Sequence, residues 1–320
     1  MPQELNLREL SEQVVSETEK IIVGKTRQIE LIFMAVLSQG HILLDDLPGV
    51  GKTTLVKTLS KVLGCQTKRI QFTPDLLPSD ILGMNVYNQQ TGAFQLLRGP
   101  VMTNLLLADE INRAIPRTRS ALLEAMEEGQ VTIDGKTDPL PAPFLVMATQ
   151  NPVELESTFR LPAAQMDRFL IRLSLGYPEA AEEELMLQNL GDEIPMDHVQ
   201  CITNPELLVQ MQQAVRQVSI APSLTAYIVA LVQATRHHPM LRMGASPRAS
   251  RALYRAGKAW AAMQGRNFVT PDDIQAIAVP ILAHRLLLKS EAQLENATPE
   301  KLVLDLLAQI PVPPAGEERF

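Results

Sequence analysis

The chain has 320 residues, which at roughly 150 residues per domain makes about two domains the expectation. Its 46% hydrophobic and 20% charged residues exclude the disordered class, and 36 acidic against 29 basic residues, a net charge of −7, speak against sequence-independent binding of nucleic acid. Cys65 and Cys201 lack the spacing of a zinc site or a disulfide framework and are expected as buried, reduced thiols; no apolar run is long enough to span a bilayer, and Met1 to Leu5 offers no secretory signal, so a cytoplasmic protein is expected.

From Leu5 to Leu37, apolar residues including Leu10, Val14, Ile21, Ile22, Ile29, Ile32 and Val36 recur at helical spacing, which predicts two helices. They are separated by a break at Ile21-Ile22-Val23-Gly24-Lys25, where the glycine allows backbone to lie against a ligand. A short apolar strand, His41 to Asp46, then runs into Asp46-Leu47-Pro48-Gly49-Val50-Gly51-Lys52-Thr53, followed by Thr54 and a helix with Leu55, Val56, Leu59, Val62 and Leu63 on one face. This segment fits the phosphate loop of a nucleotide site, except that Asp46 replaces the first glycine. Gly49 and Gly51 let backbone amides fold round phosphates, the helix beginning near Lys52 turns its positive end toward them, Lys52 reaches the outer phosphates and Thr53 supplies a magnesium ligand. Asp46 is expected to point away from the anion and to accept amides of the loop itself.

Apolar runs at Lys68 to Phe72, Asn104 to Ala108, Phe144 to Ala148 and Phe169 to Leu173 read as buried parallel strands, with a helix over Arg119 to Met126 among them. The first half is therefore an α/β domain, a parallel sheet sandwiched by helices. The strand ending at Ala108 runs into Asp109-Glu110. In a Walker B arrangement Asp109 holds hydrated magnesium, while Glu110 orients and deprotonates the attacking water. A second strand ends in Thr149-Gln150-Asn151-Pro152, placing the Asn151 amide near that water or the γ-phosphate. Two hairpins are expected: one with Val86-Tyr87 and Phe94 to Leu97 flanking Asn88 to Gly92, the other over Val131 to Lys136, where Asp134-Gly135 suits a tight primed turn. After Tyr177-Pro178 the strand signal gives way to helices, some with Thr-Pro starts at Thr270 and Thr298, so a smaller all-α domain follows. The stretch from Pro311 to Phe320 is expected to fray.

These elements together resemble the AAA+ ATPases, with Asn151 in the first-sensor position. More narrowly, Asp109-Glu110-Ile111-Asn112-Arg113-Ala114, Ala148-Thr149-Gln150-Asn151-Pro152, Leu161-Pro162, Gln165-Met166-Asp167-Arg168-Phe169 and Gly244-Ala245-Ser246-Pro247-Arg248-Ala249 look like the motifs of the MoxR family, a helix-two-insert clade related to the magnesium chelatase ATPase subunits. The resemblance implies a nucleotide-binding domain over 1–177 with a helix-two insert near 73–101 and a pre-sensor hairpin near 129–143, a helical lid over 178–290, and a C-terminal helix and tail over 291–320. It also implies ATP and Mg2+ as ligands, with Ile22, Val23 and Gly24 against the adenine. Arg168 corresponds to an arginine finger reaching the neighbouring subunit's γ-phosphate in a homo-oligomeric, hexameric ring, and Arg248 to a second sensor touching nucleotide in its own subunit. Family members act in chaperone-like fashion, some with proteins bearing a von Willebrand factor A domain, so a separate partner protein is expected. Arg236, Arg242, Arg251 and Arg255 are expected to pair with acids of the adjoining subunit, and His237-His238 with no metal. A DNA-associated motor and a nucleotide-gated scaffold of low turnover are the alternatives.

Overall fold

The computed structural model describes residues 6–47, 49–151, 161–190 and 196–313. Pro48, Pro152 and the end of the tail from Pro314 lie outside the described residues. The chain opens with helices α1 (Leu7–Glu19), capped by the Asn6 side chain accepting the Glu9 amide at 3.2 Å, and α2 (Thr26–Leu37), whose Leu31 to Leu37 are all buried. The first half continues with β1 (Ile42–Asp45), α3 (Lys52–Val62), β2 (Thr67–Gln71), α4 (Pro78–Leu82), β3 (Gly83–Asn88), β4 (Ala93–Arg98), β5 (Leu105–Asp109), α5 (Pro116–Glu128), β6 (Gln130–Ile133), β7 (Lys136–Pro139), β8 (Leu145–Gln150), α6 (Ala163–Met166) and β9 (Ile171–Leu173).

Five strands form one parallel sheet in the order β2-β5-β8-β1-β9. Alternate residues of the central strands face opposite layers, as strand geometry requires. Ile42, Leu44, Leu105, Leu107, Leu145 and Met147 join the core beneath α1, α2 and α3, while Leu43, Leu106, Ala108, Val146 and Ala148 join the core beneath α5. Both faces are covered, which explains why these strands read as unbroken apolar runs. The register sets Gln71 beside Asp109 and Asp45 beside Gln150, so the segments following β1, β5 and β8 leave the sheet at the same edge, where α/β sheets bind ligands.

Two small hairpins project from this frame. β3 and β4 pair antiparallel and carry Tyr87 edge-on to Phe94, ring centroids 5.4 Å apart, with Phe94 73% exposed. β6 and β7 are joined by Asp134 and Gly135 at φ 49° and 80°, the two positive values of the expected primed turn. The hairpins touch where Asn85 donates to the Asp134 carboxylate at 2.8 Å.

The second half comprises α7 (Ala180–Leu190), α8 (Pro205–Arg216), α9 (Pro222–His237), β10 (Leu241–Met243), α10 (Pro247–Met263), α11 (Pro271–Leu282), β11 (Leu287–Leu288), α12 (Ser290–Leu294) and α13 (Pro299–Gln309). Thr270 and Thr298 cap their helices as the sequence suggests. Against the all-helical expectation, β10 and β11 form a short antiparallel ribbon, three and two residues long and below what strand periodicity reveals. The expectation of two buried thiols holds for Cys65, whose pKa burial pushes up to about 12, and fails for Cys201, which is exposed and donates its Sγ to the Thr203 carbonyl at 3.1 Å. No helix among the described residues is long and apolar enough to cross a membrane.

Candidate active site

The loop after β1 turns on Gly49 and Gly51 at φ 87° and 83°, left-handed values that side chains resist. A Cβ on either would meet no atom within 4 Å, so conformation, and not space, calls for glycine. Gly51 is the N-cap of α3 and brings no side-chain cap, which leaves the first-turn amides of α3 for an anion. The Lys52 ammonium donates to the carbonyls of Asp46 at 2.8 Å and Leu47 at 3.1 Å, folded over the loop it serves. Lys52, Thr53, Thr54, Asp109, Glu110 and Asn151 line one cleft of about 410 Å³.

Asp46 is 4% exposed and, as expected, points away from that cleft, but its partners are not the loop amides. Its carboxylate accepts the Ser174 hydroxyl at 2.6 Å and the amides of Leu175 at 2.8 Å and Gly176 at 3.0 Å. The first position of the phosphate loop is thereby tied to the segment that leaves β9 for the lid.

The acidic end of β5 is held from two neighbouring strands. Thr149 of β8 donates its hydroxyl to Asp109 at 2.5 Å and accepts the Glu110 amide at 2.9 Å. From β2, Arg69 reaches the other Asp109 oxygen at 2.6 Å, and Gln71 donates to Glu110 at 2.7 Å. Arg113 adds a second 2.7 Å contact to Glu110, whose own backbone sits in the left-handed region at φ 56°. Sequence reasoning missed Arg69 and Gln71; the available signal was their i, i+2 spacing on a strand flanking the acidic one, which puts both on one face. A hydroxyl and a single carboxylate at one cleft suit magnesium, which takes few protein ligands and completes its shell with phosphate oxygens and water.

Other expected site residues lie elsewhere. Ile22, Val23 and Gly24 do not line the phosphate cleft: the Gly24 turn, at φ 71°, is covered by Glu182 of α7, whose carboxylate fills the space of a Cβ there. Lys25 closes the turn by reaching Glu182 and the Tyr177 carbonyl, both at 3.3 Å. Arg248, expected at the nucleotide of its own subunit, lies outside the phosphate cleft in this structure. It does not approach its own phosphate loop; it lies with Arg168 in a groove of about 560 Å³ between sheet domain and lid that none of Lys52, Thr53 or Asp109 lines. Both guanidiniums are paired with one carboxylate, Glu127 near the end of α5: Arg168 at 3.3 Å and Arg248 in closer contact. α10, which bears Arg248, packs on α2, α9 and α11.

A phosphate loop after the first strand, an acid pair after a neighbouring one, a polar amide after a third and a helical lid behind them define an AAA+ ATPase. Residues 41–171 match the family model described as ATPase family associated with various cellular activities (AAA), and residues 233–306 match the AAA lid domain. YeaC, an uncharacterized protein of Bacillus subtilis, is 46% identical over 96% of both chains, and Chaperone MoxR1 of Mycobacterium tuberculosis 41% identical over 94% of this chain and 82% of its own length. The crystal structure of a candidate ATPase from Cytophaga hutchinsonii superposes with a TM-score of 0.90 at 39% identity, covering 97% of this chain and 96% of that one. The chain belongs to the MoxR family of AAA+ ATPases, and it hydrolyses ATP.

Proposed function

We propose that this ATPase works as a ring of identical subunits in the cytoplasm, completes each hydrolytic site with arginines of the adjoining copy, and uses the cycle to remodel, activate or mature a separate partner protein. The observation that carries this reading is the pairing of Arg168 and Arg248 on Glu127, away from their own phosphate loop. The two cations share one acid in a groove that Lys52 and Thr53 do not line. Presented to a neighbour, they would stabilise charge developing on the γ-phosphate.

Within the cleft, the first-turn amides of α3 and Lys52 bind the phosphates, and Glu110 takes the proton of the attacking water. Asn151 holds that water or the γ-phosphate. Thr53 and Asp109 would hold Mg2+, which supplies charge neutralisation across the β- and γ-phosphates. For the partner, the exposed Tyr87, Phe94 and Leu97 on the β3–β4 hairpin offer an apolar contact, and a chain bearing a von Willebrand factor A domain is the expected class.

The test is phosphate release with ATP and Mg2+, titrated against protein concentration and repeated with Arg168→Ala. Turnover per subunit that climbs steeply with concentration, together with loss of activity but not of ATP binding in the variant, is the expected result. Turnover independent of both concentration and Arg168 would overturn the shared site.

A further inference from the structure

Arg285, just beyond α11, is among the most deeply buried cations of the molecule, its side chain 3% exposed. It spends its donors almost entirely on three residues around Arg168. Nε donates to the Asp167 carboxylate at 2.8 Å, one terminal nitrogen to the carbonyls of Phe169 at 2.6 Å and Asp167 at 3.3 Å, and the other to the Leu170 carbonyl at 3.1 Å and to the Ile281 carbonyl of α11. A buried charge is costly, and an apolar side chain would fill the same space more cheaply. What the guanidinium adds is a rigid grip on the backbone from both sides of Arg168.

The second oxygen of Asp167 accepts the Ser246 hydroxyl at 2.6 Å. Ser246 is the N-cap of α10, and its oxygen in turn accepts the Arg248 amide at 3.1 Å. One carboxylate therefore joins the end of α11, the segment carrying Arg168 and the start of the helix carrying Arg248. Beyond this junction both arginine heads converge on Glu127, and the buried Arg168 Nε has no hydrogen-bond partner among the described residues.

We infer that Arg285, acting through Asp167 and Ser246, is a positioning residue that presents Arg168 and Arg248 as one rigid two-arginine unit to the nucleotide of the adjoining subunit. The inference rests on the shared-site reading above. It requires that loss of Arg285 damages hydrolysis at the neighbour's cleft and leaves the cleft of its own chain competent.

Mixing subunits separates those effects. Arg285→Lys, and Asp167→Asn as a near-isosteric second variant, are each mixed with Lys52→Ala, which has a crippled phosphate loop and intact arginines; Arg168→Ala mixed with Lys52→Ala is the reference pair. Arg285→Lys and Asp167→Asn alone are each expected to bind a fluorescent ATP analogue within twofold of the parent and to hydrolyse ATP at least tenfold more slowly. Mixing is expected to restore several-fold activity, because the competent cleft of one subunit then receives the intact arginines of the other. If the reference pair recovers and neither new pair does, or if both variants turn over ATP normally alone, the positioning role is overturned and the shared site stands. If the reference pair itself fails to recover, the shared-site reading falls and takes this inference with it. Should Arg285→Lys not fold, Asp167→Asn decides by the same criteria.

Discussion

Arg69 places its guanidinium 2.6 Å from the Asp109 carboxylate, on the oxygen that Thr149 leaves free. A Mg2+ ion held by Asp109 would draw on the same oxygen, so Arg69 and the cation would compete for it. Arg69 is 53% exposed, and an ion pair of that kind is worth about 0.2–1 kcal/mol. Arg69→Ala is expected to lower the Mg2+ concentration at half effect by about two- to fivefold. It should also weaken ATP binding in the absence of metal, because a nearby positive charge is lost. Fluorescent-nucleotide titrations with and without Mg2+ read both; an unchanged metal dependence would show that Arg69 does not contest the site.

Glu110 is held by Gln71 and Arg113, each at 2.7 Å, which aims its carboxylate without consuming its second oxygen. Glu110→Gln keeps the shape and removes the base. Hydrolysis should fall by about 10²–10⁴-fold, the contribution of a positioned general base, while ATP binding stays within twofold. Turnover near the parent rate, measured by phosphate release, would remove Glu110 from the role of base.

Much of the cleft was legible in the sequence because its parts are local: a glycine-rich turn between strand and helix, and acids or amides at the ends of apolar runs. The remainder depends on pairing across long separations. Arg69 and Gln71 meet the acids only through the parallel register of β2 with β5. Glu127 meets Arg248 only through the packing of lid on sheet, a contact no local pattern announces. A motif names residue types, but the side of the sheet on which a lid helix settles is decided by apolar faces from both halves: Ala249, Leu253 and Ala256 of α10 share one core with Phe33 and Val36 of α2.

Asp46 shows the same limit and yields its own prediction. One of its oxygens accepts two donors and the other accepts one, all from residues 174–176. An amide at this position necessarily turns an NH2 group toward at least one of those donors. Asp46→Asn is therefore expected to destabilise the fold by about 1–3 kcal/mol, the usual cost of a buried donor left unpaired. Asp46→Gly, which restores the commoner loop glycine, removes all three acceptors and should cost at least as much without tightening ATP binding. Urea unfolding measures both, and stability equal to the parent in the two variants would show that the junction to the lid does not depend on this carboxylate.

His41 gives the fold a pH dependence whose sign follows from its partners. Its Nδ1 accepts the Val146 amide at 3.0 Å, so the proton of the neutral ring sits on Nε2, which donates to the Met126 carbonyl at 3.0 Å. Burial above all, with the charge of Arg255 and against the pull of the Met126 carbonyl, lowers its pKa from 6.5 to about 4. The unfolded chain takes up a proton near pH 6.5 and the folded chain does not, so the stability held by neutral His41 is complete above pH 6.5 and drains away as pH falls toward 4. By pH 5 the loss amounts to about 2 kcal/mol. His41→Gln retains a donor and an acceptor but does not titrate. Its stability, from urea unfolding between pH 7.5 and 5, is expected to start below the parent's and to converge on it as the solution is acidified. Parallel curves for the two proteins would mean that His41 keeps its ordinary pKa inside the fold.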